Sequence, residues 1–106
     1  MSTRLEQLFA FEKSDPSDPF IQFAIAKEYE KFDDKAQALQ RYESIRENHP
    51  DYIGLYYHLG HLYEALLDKE RALQTYIDGL ELAKNTKDFH SASELNNAKM
   101  NLEMDL

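Results

Sequence analysis

Residues 19–52, PFIQFAIAKEYEKFDDKAQALQRYESIRENHPDY, run directly into residues 53–86, IGLYYHLGHLYEALLDKERALQTYIDGLELAKNT, and the two stretches align over 34 positions without a gap. Tyr29 recurs as Tyr63, Glu30 as Glu64, Asp34 as Asp68, Lys35 as Lys69, Ala38 as Ala72, Leu39 as Leu73, Gln40 as Gln74 and Tyr42 as Tyr76. A fixed period of this length is the mark of stacked helix pairs, in which each unit buries its apolar face against a neighbour. Within the copies, Ile21, Ile25, Tyr29 and Phe32 follow one another at helical spacing, as do Leu55, Leu59, Leu62, Tyr63 and Leu66 one period later. That stripe excludes strand alternation. Asp18 before Pro19 supplies an N-cap and a proline at the first helical position, where its missing N–H is no loss. Asp33-Asp34 and Asp68 are placed to cap the second helix of each pair. Small residues, Ala26 with Ala38 and Gly60 with Ala72, would let the paired backbones approach closely.

The copies resemble the tetratricopeptide repeat, with its W-x2-L-G-x2-Y, A-x3-F and closing P pattern. The matching residues are Gln22, Ile25, Ala26, Tyr29, Ala38, Tyr42 and Pro50 in the first copy, and Tyr56, Leu59, Gly60, Tyr63, Ala72, Tyr76 and Lys84 in the second. Gln22 and Ala26 depart from the pattern and imply a looser leading pair; Lys84 in place of proline implies that the last helix of the second copy runs on. The resemblance implies an all-α solenoid of antiparallel helix pairs winding as a right-handed superhelix.

The register extends outward on both sides. Pro16 lies one period before Pro50, and Leu5, Leu8, Phe9 and Phe11 upstream of it predict a short amphipathic helix. After Thr86 the signature is lost, but Ala92, Leu95, Ala98, Leu102 and Leu106 keep a helical stripe. The expected organisation is one domain over residues 1–106: a half-repeat helix (1–18), repeat one (19–52), repeat two (53–86) and a capping helix (87–106) that closes the apolar end. Met100 and Met104 fall on the face of that helix opposite the stripe, one route to a weak homodimer.

With 30% charged residues, three glycines and three prolines, the composition is that of a folded helical protein. There is no cysteine, which excludes thiol catalysis, disulfides and thiolate zinc sites. The first residues lack the apolar run of a signal peptide and no stretch has the length of a membrane span, so the expected location is cytoplasmic. A net charge of −8 disfavours nucleic acid, since Lys27, Lys31 and Lys35 make only a small basic cluster. His58, His61 and Glu64 share one helix but fan over about 120° of its surface, too divergent for a metal. No phosphate loop or nucleophile motif is present. No enzyme activity, cofactor or metal is expected. Glu28 stands where the second copy has Leu62, and either bends toward water or pairs with Arg4 or Arg41.

With Ile21 taken as the centre of the buried face, Phe20, Phe23, Lys27, Glu30 and Lys31 fall on the far side of the first leading helix. Gly54, Tyr57, His61, Glu64 and Ala65 fall on the far side of the second. The resemblance implies that leading helices line a concave peptide-binding groove. Phe23 and Tyr57 are then its anchors, with Phe20, Lys27, Lys31, His61 and Glu64 around them. Chaperone-binding members of the family hold a C-terminal carboxylate with a lysine, an asparagine and an amide. Phe23, Lys27 and His58 stand in those places, so that clamp is absent and the groove suits a more apolar peptide or helix. The expected function is a protein-interaction module or scaffold that binds a protein or peptide partner, the alternative being a self-associating subunit.

Overall fold

The computed structural model of the protein describes residues 3–105. Among these are six helices and no strand: α1 (Thr3–Ser14), α2 (Pro19–Lys31), α3 (Lys35–Asn48), α4 (Gly54–Ala65), α5 (Lys69–Asn85) and α6 (Phe89–Met104). They divide into two compact units, residues 1–52 and 53–106. Leu106, assigned above to the capping stripe, lies outside the described residues.

Three helix-to-helix turns share one construction. At the first, the N–H of Asp33 donates to the Glu30 carbonyl and that of Asp34 to the Tyr29 carbonyl, both at 2.9 Å. The same pair of bonds closes α4, from Leu67 to Glu64 and Asp68 to Tyr63, and α5, from Lys87 to Lys84 and Asp88 to Ala83. This is the Schellman arrangement, which satisfies carbonyls the helix end leaves open and needs a left-handed residue after the cap. Asp33, Leu67 and Lys87 supply it, with φ of 60°, 61° and 59°. The next residue, Asp34, Asp68 or Asp88, then accepts a backbone N–H as N-cap of the following helix. The third of these turns escaped the sequence reading, because Asp88 lies beyond the register.

In the first unit α2 lies between α1 and α3. Leu5, Leu8 and Ile25 form a buried cluster against which Phe9, Ile21, Ala24 and Tyr29 pack. A polar network ties the three helices together. Arg41 on α3 pairs with Glu12 on α1 and donates to Gln22 Oε1 on α2 at 2.8 Å, while Gln22 Nε2 donates to Glu12 at 2.6 Å. The Arg41 guanidinium also lies 5.8 Å from the Phe9 ring centre. Gln22 and Ala26 therefore do not loosen the leading pair. Gln22 exchanges an aromatic contact for a hydrogen-bonded tie to α1, and Ala26 is fully buried. Of the two partners considered for Glu28, Arg4 and Arg41, the second is engaged by Glu12 and Gln22.

In the second unit α5 packs on both α4 and α6. Leu55, Tyr56, Leu59, Leu62 and Tyr63 of α4 meet Ala72, Tyr76 and Ala83 of α5 and Leu95, Ala98 and Leu102 of α6 within the buried core. Thr75 is buried there with its hydroxyl donating to the Arg71 carbonyl at 2.8 Å. Two glycines permit the close approach. A Cβ on Gly60 would lie 2.6 Å from Tyr76 Cδ1, so the space that glycine leaves is filled by the tyrosine ring. A Cβ on Gly79 would lie 2.8 Å from Tyr56 Cγ and 3.1 Å from Leu95 Cδ1. Helix α5 has 17 residues against 14 in α3, continuing to Asn85 where a proline would have stopped it.

Three apolar residues of the sequence stripes are not core. Phe32 and Leu66 are C-cap residues, where the chain has left the helix, and both are exposed. Phe11 is exposed as well, because the buried face of α1 is set by Leu5 and Leu8.

Candidate interaction surfaces

On α2 the fully buried residues are Ile25 and Ala26, while Ile21 is only half-buried. The buried arc is thus centred on Ile25 and Ala26 and not on Ile21, which corrects the face assigned to Phe23 and Glu30. Phe23 is half-buried at the shoulder of α2, its ring centre 5.9 Å from that of Tyr42 and 5.6 Å from that of Tyr52, with Lys27 Nζ 5.8 Å from its own. Glu30 sits on the same shoulder and accepts the Tyr42 hydroxyl. Burial first, then the bond to Glu30 and its charge, hold the Tyr42 phenol far above its ordinary range. Burial, followed by the charge of Asp18, raises that of Tyr52. Lys27, Lys31 and Phe20 are exposed, Phe20 to 64%.

The second unit repeats the tyrosine–glutamate bond and adds histidine. Tyr76 donates to Glu64, and its phenol is likewise raised, by burial first and then by Glu64. His61 stands beside this pair, Nδ1 3.7 Å from Glu64 and its ring centre 5.8 Å from that of Tyr76. Tyr57 lies edge-on to His61 at 4.4 Å and to His58 at 5.5 Å. Two clefts follow the seam between α4 and α6, and Tyr57 and Glu94 line both. One, of about 260 Å³, is completed by Ile53, His58, Ser91 and Leu95. The other, of about 220 Å³, is completed by His61, Glu64, Asn97 and Asn101. Sequence reasoning found Tyr57, His61 and Glu64 from the repeat register. It missed Glu94, Asn97 and Asn101, since α6 has no copy with which to compare it. Among the described residues no three histidine, aspartate or glutamate side chains gather so as to hold a metal ion.

Solved structures resemble this chain. The solution structure of a tetratricopeptide repeat domain protein from Salinibacter ruber is 44% identical, with a TM-score of 0.81, over 84% of this chain and 90% of its own. This chain belongs to the tetratricopeptide repeat family. A crystal structure of the tetratricopeptide repeat domain protein from Salinibacter ruber agrees, at 43% identity and a TM-score of 0.78 over 81% of this chain and 97% of its own. A protein from Bordetella parapertussis, 22% identical, shares the fold with a TM-score of 0.84 over 99% of this chain and 91% of its own. No family model matches the chain, and no curated protein does. As a tetratricopeptide repeat protein it is an interaction module in the general sense. No helix among the described residues is long and apolar enough to cross a membrane.

Proposed function

We propose that this tetratricopeptide repeat protein is a cytoplasmic, non-catalytic scaffold that binds a peptide or helix of a partner protein through its leading helices α2 and α4. The observation that carries the reading is Tyr57. Its ring is half-buried against two histidines and lines both clefts of the α4–α6 seam, so an incoming side chain on either side meets an aromatic wall. Partly buried aromatics in such places commonly anchor interfaces, and their truncation commonly costs ~2 kcal/mol or more. His61 and Glu64 supply the polar rim of that unit. In the first unit Phe20, Lys27 and Lys31 offer an exposed face of α2, and Phe23 supports it from the shoulder.

Selection of displayed peptides against the intact chain tests this. Selected peptides should bind the wild type and lose at least tenfold with Tyr57→Ala, while circular dichroism shows the helices intact. Undiminished binding by Tyr57→Ala and by a Phe20→Ala, Lys27→Ala, Lys31→Ala triple variant would remove the leading helices from the interface. A second reading, self-association, rests on one observation. Phe89, Met100 and Met104 are all exposed on α6, Met104 to 81%, where a closing helix ordinarily carries polar residues. Sedimentation of the wild type against Met100→Glu, Met104→Glu decides it; a wild-type monomer at high concentration rejects it.

A further inference from the structure

We propose that the α4–α6 seam of the second unit receives an arginine side chain from the bound segment, an inference that rests on the peptide-binding reading above. The cleft of about 220 Å³ has one carboxylate on each wall, Glu64 from α4 and Glu94 from α6, with Asn97 and Asn101 along the α6 side and the Tyr57 ring between. Among the described residues, neither cleft of the seam has a lysine or arginine in its lining. An anionic group entering here meets two carboxylates and no lysine or arginine, the one further titratable side chain of this lining besides Tyr57 being His61, whose Nδ1 lies 3.7 Å from Glu64. A cationic group meets acceptors on both sides.

One acceptor, Glu64, is held in place. Glu64 takes the Tyr76 hydroxyl, and that phenol is fully buried, so the carboxylate is fixed on one side with lone pairs left over for a second donor. Glu94 is half-exposed on its own helix, 3.7 Å from His90 Nε2, and is free of any lysine or arginine pairing among the ion pairs of the described residues. The amides of Asn97 and Asn101 add carbonyl oxygens. Guanidinium fits this set better than ammonium. It is planar, presents five donors in a fixed fork, is weakly hydrated and stacks on aromatic rings such as that of Tyr57. Lysine would offer a more strongly hydrated point charge and forgo the bidentate geometry.

The test uses the full chain labelled with nitrogen-15 and N-acetyl-arginine methylamide as the probe. Its neutral isostere, N-acetyl-citrulline methylamide, and N-acetyl-glutamate methylamide are the comparisons. The arginine compound should give saturable amide shifts centred on Tyr57, Glu94, Asn97 and Asn101, and the other two should give none there. Glu94→Gln should weaken the response by about tenfold, the scale of one lost charge-assisted contact. Asn97→Ala, at an exposed position, provides a second variant with an expected loss of severalfold. Equal shifts from arginine and citrulline would overturn the proposal by showing that charge is not read. So would shifts that never saturate or that survive Glu94→Gln, the signature of general screening of an acidic surface. Failure here alongside successful peptide selection removes only the arginine subsite. Failure of the selection removes the peptide-binding reading itself.

Discussion

Replacing Gly79 by alanine sets two known effects against each other. A mid-helix alanine is favoured over glycine by ~0.8–1.0 kcal/mol, so on propensity alone the change stabilises α5. The packing argues the other way. The new Cβ would stand 2.8 Å from Tyr56 Cγ, closer still to Tyr56 Cβ, and 3.1 Å from Leu95 Cδ1. Carbon atoms rest at about 3.5–4.0 Å. Leu95 can swing its terminal methyl aside, but Tyr56 Cβ is bonded to the backbone of α4 and moves only if the helix moves. Relief therefore requires α4 and α5 to separate by roughly 1 Å, against core contacts that include the fully buried Leu59 and Tyr76. Overpacking of this kind costs ~1–3 kcal/mol. With rigid backbone-linked atoms the upper part of that range applies, leaving a net loss of about 1–2 kcal/mol after the propensity gain. Urea denaturation followed by circular dichroism reads it, and heating should show a fall of roughly 4–8 °C per kcal/mol. Gly54→Ala, exposed at the start of α4, is the control and should be neutral or slightly stabilising. Unchanged or increased stability of Gly79→Ala would show that α4 yields cheaply and that the glycine is not required by Tyr56.

Leu67→Gly should stabilise by about 0.5–1 kcal/mol, because it relieves a left-handed conformation in a side chain 88% exposed, and no burial is lost; a lower urea midpoint would contradict it. Arg41→Ala should destabilise the first unit by ~1–3 kcal/mol by leaving Glu12 and Gln22 without their shared donor, and stability equal to wild type would mean that the network is replaced by water. Tyr42 and Tyr76 should stay un-ionised well past the pH at which a free phenol loses its proton. Their raised phenols are neutral in the fold, so their contribution is complete below about pH 10, the unfolded value, and is lost as pH rises beyond it. Ultraviolet absorbance followed together with helicity checks this, and ionisation of every phenol with the helices intact would refute it.

The 34-residue register made the helix pairs legible, along with the Asp34 and Asp68 caps and the α4 core of Leu55, Leu59, Leu62 and Tyr63. What it could not supply was the direction of each face. Helix α2 is packed on two sides, by α1 and by α3, so its buried arc is broad and has no single opposite face. That is why Phe23 and Glu30, counted from Ile21, seemed to point outward and instead meet Tyr42. Phe32 and Leu66 kept the period past the point where the helix had ended. The side chains that complete the seam, Glu94, Asn97 and Asn101, were illegible because they belong to the one helix of the second unit without a copy. Repeat comparison finds what recurs, and half of this cleft does not.

The turn shared by Asp33-Asp34, Leu67-Asp68 and Lys87-Asp88 also bears on how such a gene can change. One short segment ends a helix and starts the next, so the left-handed residue that closes one and the aspartate that caps the other are adjacent, with nothing between them. A single-codon insertion there would part the left-handed residue from the capping aspartate. A deletion would remove one of them, and either would also turn the following helix by about 100° relative to its partner. Viable length variants should therefore be excluded from these three segments and fall elsewhere, while growth by duplication of a complete 34-residue block leaves every turn intact. The turns act as a reading-frame constraint at the level of the fold, admitting new material only in whole repeats.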